Sequence, residues 1–166
     1  GDPYANAKKG GTYHTVTPAD PPTIDPFASL SYATKGIAVY TYSRLLKYDS
    51  APGKATGDLR PTGDIADKWE FSPDNLTCTF TLRDGVKFQD VAPVSGRAVD
   101  IDDIKFSWGR LTAPESQNAI QVNYVDRVEF PDPKTVKFTL KEPNAGFLDN
   151  MADTNLLFVM PKEADG

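Results

Sequence analysis

Cysteine and histidine are almost missing: Cys78 and His14 are the only ones in 166 residues. One cysteine cannot close an internal disulfide, and a metal cage of thiolates or imidazoles has too few members. A Ser-His-Asp triad would have to centre on His14, which sits in a short β-prone stretch and reads as an ordinary strand residue. Basic residues are not concentrated either. No run exceeds Lys8-Lys9, and 23 acidic against 18 basic residues leave a formal net charge of −5. A phosphate backbone needs a basic face, so nucleic acid is not an expected partner. No apolar run approaches the roughly 20 residues that span a bilayer as a helix. The glycines form neither GxGxxG nor a P-loop, so no phosphate cradle is expected. There is no initiator methionine, and Gly1-Asp2-Pro3-Tyr4 reads as the start of a processed or trimmed product, which leaves export open.

What is present is ordinary globular material: 39% hydrophobic and 25% charged residues, enough for a core and too apolar for disorder. Residues 1–10 read as a loose leader, and Thr12–Val16 as a short strand. Pro18, Pro21, Pro22 and Pro26 then impose an extended loop over 17–27, since each proline fixes its own φ and disfavours helix before it. A helix is expected from about Ala33 to Tyr48, with Ile37, Ala38, Thr41, Tyr42, Leu45 and Tyr48 in one stripe and Lys35 mostly off it. Residues 49–63 are rich in turn formers and mark the main boundary.

Past that boundary the period changes to two. Trp69, Phe71, Leu76, Cys78, Phe80 and Leu82 alternate with polar residues, as in a strand with one buried face. Asp84-Gly85 signals a hairpin returning through Val86-Lys87-Phe88, and a second hairpin turns at Pro131–Lys134. Between them a helix over about 102–112 carries Ile101, Ile104, Trp108 and Leu111 on one stripe, with Phe106 nearly opposite and buried on a second side. A short helix from Pro143-Asn144-Ala145 carries Phe147, Leu148 and Met151, and Leu156–Met160 reads as a buried strand. The fold class is mixed α/β with antiparallel hairpins.

Candidate chemistry is sparse. Asp100, Asp102 and Asp103 invite a calcium reading, but the residues that follow lack the glycine and closing glutamate of an EF-hand loop; Asp100 is expected to cap the helix instead. Cys78, alternating into a core, is expected to behave as a small hydrophobe. Asn75-Leu76-Thr77 matches a glycosylation sequon and equally suits a turn after Ser72-Pro73-Asp74. Most aromatics fall on inward positions, Tyr32 and Tyr124 being the less clear cases. No catalytic residue, metal site or cofactor is expected.

The order of motifs carries more. Gly10-Gly11-Thr12-Tyr13, Pro22-Thr23-Ile24-Asp25-Pro26 and Leu45-Leu46-Lys47-Tyr48-Asp49 open the chain. Pro61–Glu70, Thr79–Phe88 and Asp102–Trp108 follow. The series resembles the family 5 extracellular solute-binding proteins of ABC importers, the oligopeptide, dipeptide and nickel group, from about residue 10 to 162. That resemblance implies a piece of a type II-like two-lobed clamp, amino-terminal in the whole. Residues 1–48 would belong to an incomplete first lobe, and 49–166 to its small extra domain. It implies capture of a small solute, most often a peptide, outside the cytoplasmic membrane and delivery to an ABC permease. The location would be periplasmic or extracellular, with a lipoprotein anchor as one form, and no bond would be made or broken.

Carried over by position, the solute contacts implied are Leu30, Ser31 and Tyr32, reached through the main chain, and the stretch near Ile120. Two departures stand out: Val91 where the family reads glycine, and extra residues Val94–Val99 before the helix. If that loop edges the cleft, solute choice would change with it. Two other readings are a stand-alone protein-interaction module without a transport role, and a hydrolase, for which the sequence offers no nucleophile–base pair.

Overall fold

The computed structural model describes residues 6, 8, 10–12, 14–49, 57 and 59–165. The expected leader and the turn-rich linker fall largely outside the described residues. The centre of the molecule is a four-stranded antiparallel sheet of β3 (Ala66–Phe71), β4 (Thr77–Leu82), β5 (Val125–Asp132) and β6 (Thr135–Leu140), in the order β3-β4-β6-β5. Alternation decides its faces. Cys78, Phe80 and Leu82 on β4, and Val136, Phe138 and Leu140 on β6, are buried, while the threonines between them stay on the outer face. Cys78 pairs with Phe138 and Phe80 with Val136 across the sheet, so the apolar rows meet. On β5 a bulge between Val125 and Arg127 shifts the pattern, which places Val125, Val128 and Phe130 on the more protected side and leaves Arg127 and Glu129 exposed.

The 125–140 hairpin forms as expected. The other differs. β3 turns into β4 at Ser72–Asn75, where Asn75 takes φ 57° and Asp74 Oδ1 accepts from Leu76 N. Asp84-Gly85 is a turn with Gly85 at φ 76°, yet Val86–Phe88 does not return along β4. Both edges of β4 are already taken by β3 and β6, so the segment pairs with 97–99 instead (Phe88 N to Arg97 O, 3.0 Å; Val99 N to Val86 O, 2.9 Å).

The first helix, α1 (Tyr32–Thr41), ends seven residues before the expected boundary. Beyond it the chain is extended, and β1 (Leu46–Tyr48) pairs with β2 (Pro61–Gly63). Leu45 O accepts from the N–H groups of Asp64 and Ala66, and Arg44 N donates to Asp64 Oδ2 at 2.9 Å. Pairing with the 61–66 segment therefore overrides the helical period of 42–48. The buried face also rotates: Thr34, Lys35 and Ala38 are inside, whereas Ile37 is exposed. Gly63 belongs to β2 because of a close approach; a Cβ there would lie 2.4 Å from Ala66 O.

The second helix, α2 (Ile101–Thr112), carries a capping box: Asp100 accepts from the N–H groups of Asp102 and Asp103, and Asp103 accepts from Asp100 N. The acidic cluster is thus a helix start, as expected. Ile101, Ile104 and Leu111 are buried, Trp108 and Phe106 partly so, and Arg110 covers the Phe106 ring. The third helix, α3 (Phe147–Ala152), starts later than expected and packs Phe147 against both Phe80 and Phe138, which also touch each other. Leu156–Met160 is buried as expected but forms no strand; its main-chain ties are Val159 N to Ser43 O and Met160 N to Ser107 Oγ, both 2.8 Å. Thr12 and His14–Val16 are exposed and irregular rather than a strand. β-prone residues need a neighbouring strand, and none of the described residues provides one. One apolar core runs from Phe27, Ala38, Leu45 and Leu46 through the sheet to Met160.

Candidate functional site

The loop before α1 is built by its own side chains. Thr23 Oγ1 accepts from Asp25 N (3.1 Å), Asp25 Oδ1 from Phe27 N (2.9 Å) and Ser29 Oγ from Ser31 N (3.0 Å). These short turns fold the segment back so that Phe27 enters the core at 2% exposure. Thr34 Oγ1 on α1 donates to Thr23 O at 2.7 Å, and Arg110 on α2 forms an ion pair with Asp25. The Pro-Thr-Ile-Asp-Pro motif is therefore a shape motif: its threonine and aspartate are turn acceptors.

Ser31 is the N-cap of α1, its Oγ accepting from Ala33 N at 3.2 Å. Tyr32 projects at the first helical position and is 83% exposed; Leu30 is exposed too. Ile120 is exposed on the 3-10 turn Ala119–Val122. A depression of about 320 Å³ is lined by Leu30, Tyr32, Lys35, Gln121, Asp153 and Asn155. Two of the four expected contact residues, Leu30 and Tyr32, thus lie in one depression with the immediate neighbour of Ile120. Ser31 and Ile120 flank that lining without being part of it.

The floor was not foreseen. Lys35, placed by periodicity on the polar side of the helix, is only 3% exposed. Its Nζ donates to Pro26 O (2.6 Å) and Asn118 Oδ1 (2.9 Å) and lies 5.6 Å from the centre of the Phe158 ring. Burial lowers its pKa to about 8, against the opposing pull of Asp25 and Asp153. Asn118, fully buried, returns Nδ2 to Phe27 O at 2.9 Å. Asp153 Oδ1 accepts from Asn155 N and Nδ2 at 2.7 and 2.9 Å, fixing that rim. No local pattern links residue 35 to residue 118, so only the fold reveals the pair.

Cys78 lies in the core as expected, and burial pushes its thiol up to about 12. The 86–99 loop sits elsewhere: with Thr41–Ser43, Ile65 and Val159 it lines a separate hollow of about 210 Å³, and Gln89 Nε2 donates to Thr41 O at 2.9 Å. Its Arg97 grips both carboxylate oxygens of the buried Asp103 and also pairs with Glu163. The extra residues thus serve as a clasp between α2 and the 162–165 turn, and none of them lines the depression.

Residues 60–166 match the family described as bacterial extracellular solute-binding proteins, family 5, middle. The chain belongs to this family. The probable D,D-dipeptide-binding periplasmic protein DdpA of Escherichia coli K12 is 34% identical over 143 residues, 86% of this chain but 26% of that protein. The dipeptide-binding protein of Pseudoalteromonas sp. SM9913, solved with Met-Leu, superposes with a TM-score of 0.70 at 28% identity, covering 88% of this chain and 30% of that one. MoaA of A. tumefaciens R10, solved with mannopinic acid, gives 0.67 at 28% identity, covering 86% and 28%. The family 5 chain described here therefore spans between a quarter and a third of the length of these relatives. Its fold is mixed α/β and matches part of the type II-like periplasmic binding protein fold.

Proposed function

We propose that this chain is the amino-terminal part of the solute-binding component of an ABC importer. Residues 1–48 contribute to its first lobe and 49–166 form the small extra domain. The carrying observation is the depression that joins Leu30 and Tyr32 to Gln121, Asp153 and Asn155. Its lining suits a peptide: side-chain amides for main-chain donors and acceptors, a carboxylate for a cationic group, and a tyrosine and a leucine for apolar side chains. Ser31 and Ile120 stand at its margin, where a longer solute would reach them. The kinship with proteins named for dipeptides supports the same class. In the whole protein, capture outside the cytoplasmic membrane would be coupled to closure and hand-over to a permease.

The test is a thermal-shift screen of the complete protein against di- and tripeptides, opines, sugars and nickel chelates. A peptide should raise the melting temperature in a concentration-dependent manner, since a ligand that binds only the native state stabilises it. Stabilisation by a non-peptide class alone would overturn the peptide assignment.

A further inference from the structure

Two rims of the depression, Leu30–Tyr32 and Ile120–Gln121, come from stretches far apart in sequence, and a buried polar junction ties them. Lys35 Nζ holds Pro26 O at 2.6 Å and Asn118 Oδ1 at 2.9 Å. Asn118 Nδ2 holds Phe27 O at 2.9 Å, and Gln121 Nε2 reaches Asn118 Oδ1 at 3.3 Å. A closed circuit of bonds therefore runs from the 25–31 loop through Lys35 and Asn118 to the 3-10 turn and its Gln121. Lys35 and Asn118 are 3% and 0% exposed.

Apolar side chains would fill this space without the cost of burying an ammonium group. What they could not do is meet the carbonyls of Pro26 and Phe27, or hold them at a set distance from residue 118. Hydrogen bonds are directional where apolar packing is not, so this junction fixes position. We propose that Lys35 and Asn118 are positioning residues for solute capture. They set the separation between the Leu30–Tyr32 rim and the Ile120–Gln121 rim, Lys35 from the floor of the depression and Asn118 from beneath it, outside the lining. The inference rests on the reading of the depression as the solute site.

Two variants of the complete protein test it by amide hydrogen exchange and by peptide titration. Lys35→Met keeps an unbranched, flexible side chain one atom shorter and removes both of the bonds made by Nζ. Asn118→Asp keeps the acceptor facing Lys35 and removes the donor to Phe27. Lys35→Met should speed exchange about tenfold at Gln121 and Asn123, across the junction, and Asn118→Asp should do the same at Phe27 and Ala28. Amides of β4 and β6 should be unchanged in both, which also reports that the variant has folded; if Lys35→Met does not fold, Asn118→Asp decides. Exchange that rises only on the substituted side overturns the proposal. So does a rise on both sides with unchanged affinity for a peptide such as Met-Leu, where an affinity loss of about tenfold is expected. Failure of the unaltered protein to bind any peptide would instead sink the solute reading, and the exchange pattern would still decide whether the two rims are coupled.

Discussion

Lys35 shows how a single side chain can be misplaced by periodicity and yet be central. Helical spacing puts it on the solvent side only if the apolar stripe runs on through Leu45 and Tyr48, which the structure places outside the helix. Its burial has a measurable consequence. The native amine releases its proton near pH 8, the unfolded one near 10.5, so between those values the unfolded chain binds more protons. Stability from this group therefore rises with pH from about 8 and levels off near 10.5, opposite to the loss expected of a lysine in a salt bridge. Tyr42, whose pKa is raised by burial and by Asp25, adds a loss that begins near pH 10. Urea titrations between pH 7 and 10 should show the rise in the parent protein and not in Lys35→Met. Gly63 offers a second residue-scale test. A methyl group there would sit against the Ala66 carbonyl, which belongs to the backbone and cannot swing away. Gly63→Ala should cost about 1–3 kcal/mol in denaturant unfolding; an unchanged midpoint would mean that the β1–β2 hairpin moves freely.

At the scale of elements, legibility followed how local the determining interaction is. α2 was readable because its start signal, Asp100 with Asp103, acts within one turn, and the structure shows the box closed. The 125–140 hairpin was readable because its turn and alternation are contiguous. The end of α1 and the partner of β4 were not, since both depend on pairing with segments distant in sequence. Leu156–Met160 was legible as buried but not in its conformation, because burial is written in composition whereas a strand needs a neighbour. For the candidate site, Leu30, Tyr32 and the vicinity of Ile120 are suggested by the family resemblance, while Lys35, Asn118, Asp153 and Asn155 come only from the fold. α2 also gives opposed predictions. Asp100→Ala removes the acceptor for two N–H groups and should destabilise by about 1 kcal/mol. Gly109→Ala places a methyl in open space on the same helix and should stabilise by up to about 1 kcal/mol. Thermal melts of the two variants should therefore move in opposite directions.

Under the proposed function, the molecule as a whole presents its recognition surface from one side. The depression is formed by a loop, the start of α1, a 3-10 turn and the segment after α3, all carried on one continuous core. Alongside it, Tyr32, Ile37 and Tyr40 line a groove of about 440 Å³ with Thr15, Thr17 and Pro18, and Tyr40 is 91% exposed. A solute resting on such a surface loses part of its hydration and all of its free translation, but gains contacts over only a fraction of its area. Under the proposed function, high affinity comes from a second wall that closes over the solute, removes the remaining water and strengthens each polar contact. The chain covers 26% of DdpA and 30% of the dipeptide-binding protein solved with Met-Leu, so such a wall has ample polypeptide to come from in proteins of that length. Calorimetry of the 166-residue chain with Met-Leu should accordingly show binding at least about 100-fold weaker than that of the complete protein. Equal affinities would place the whole of the recognition energy in the open depression and remove closure from the mechanism.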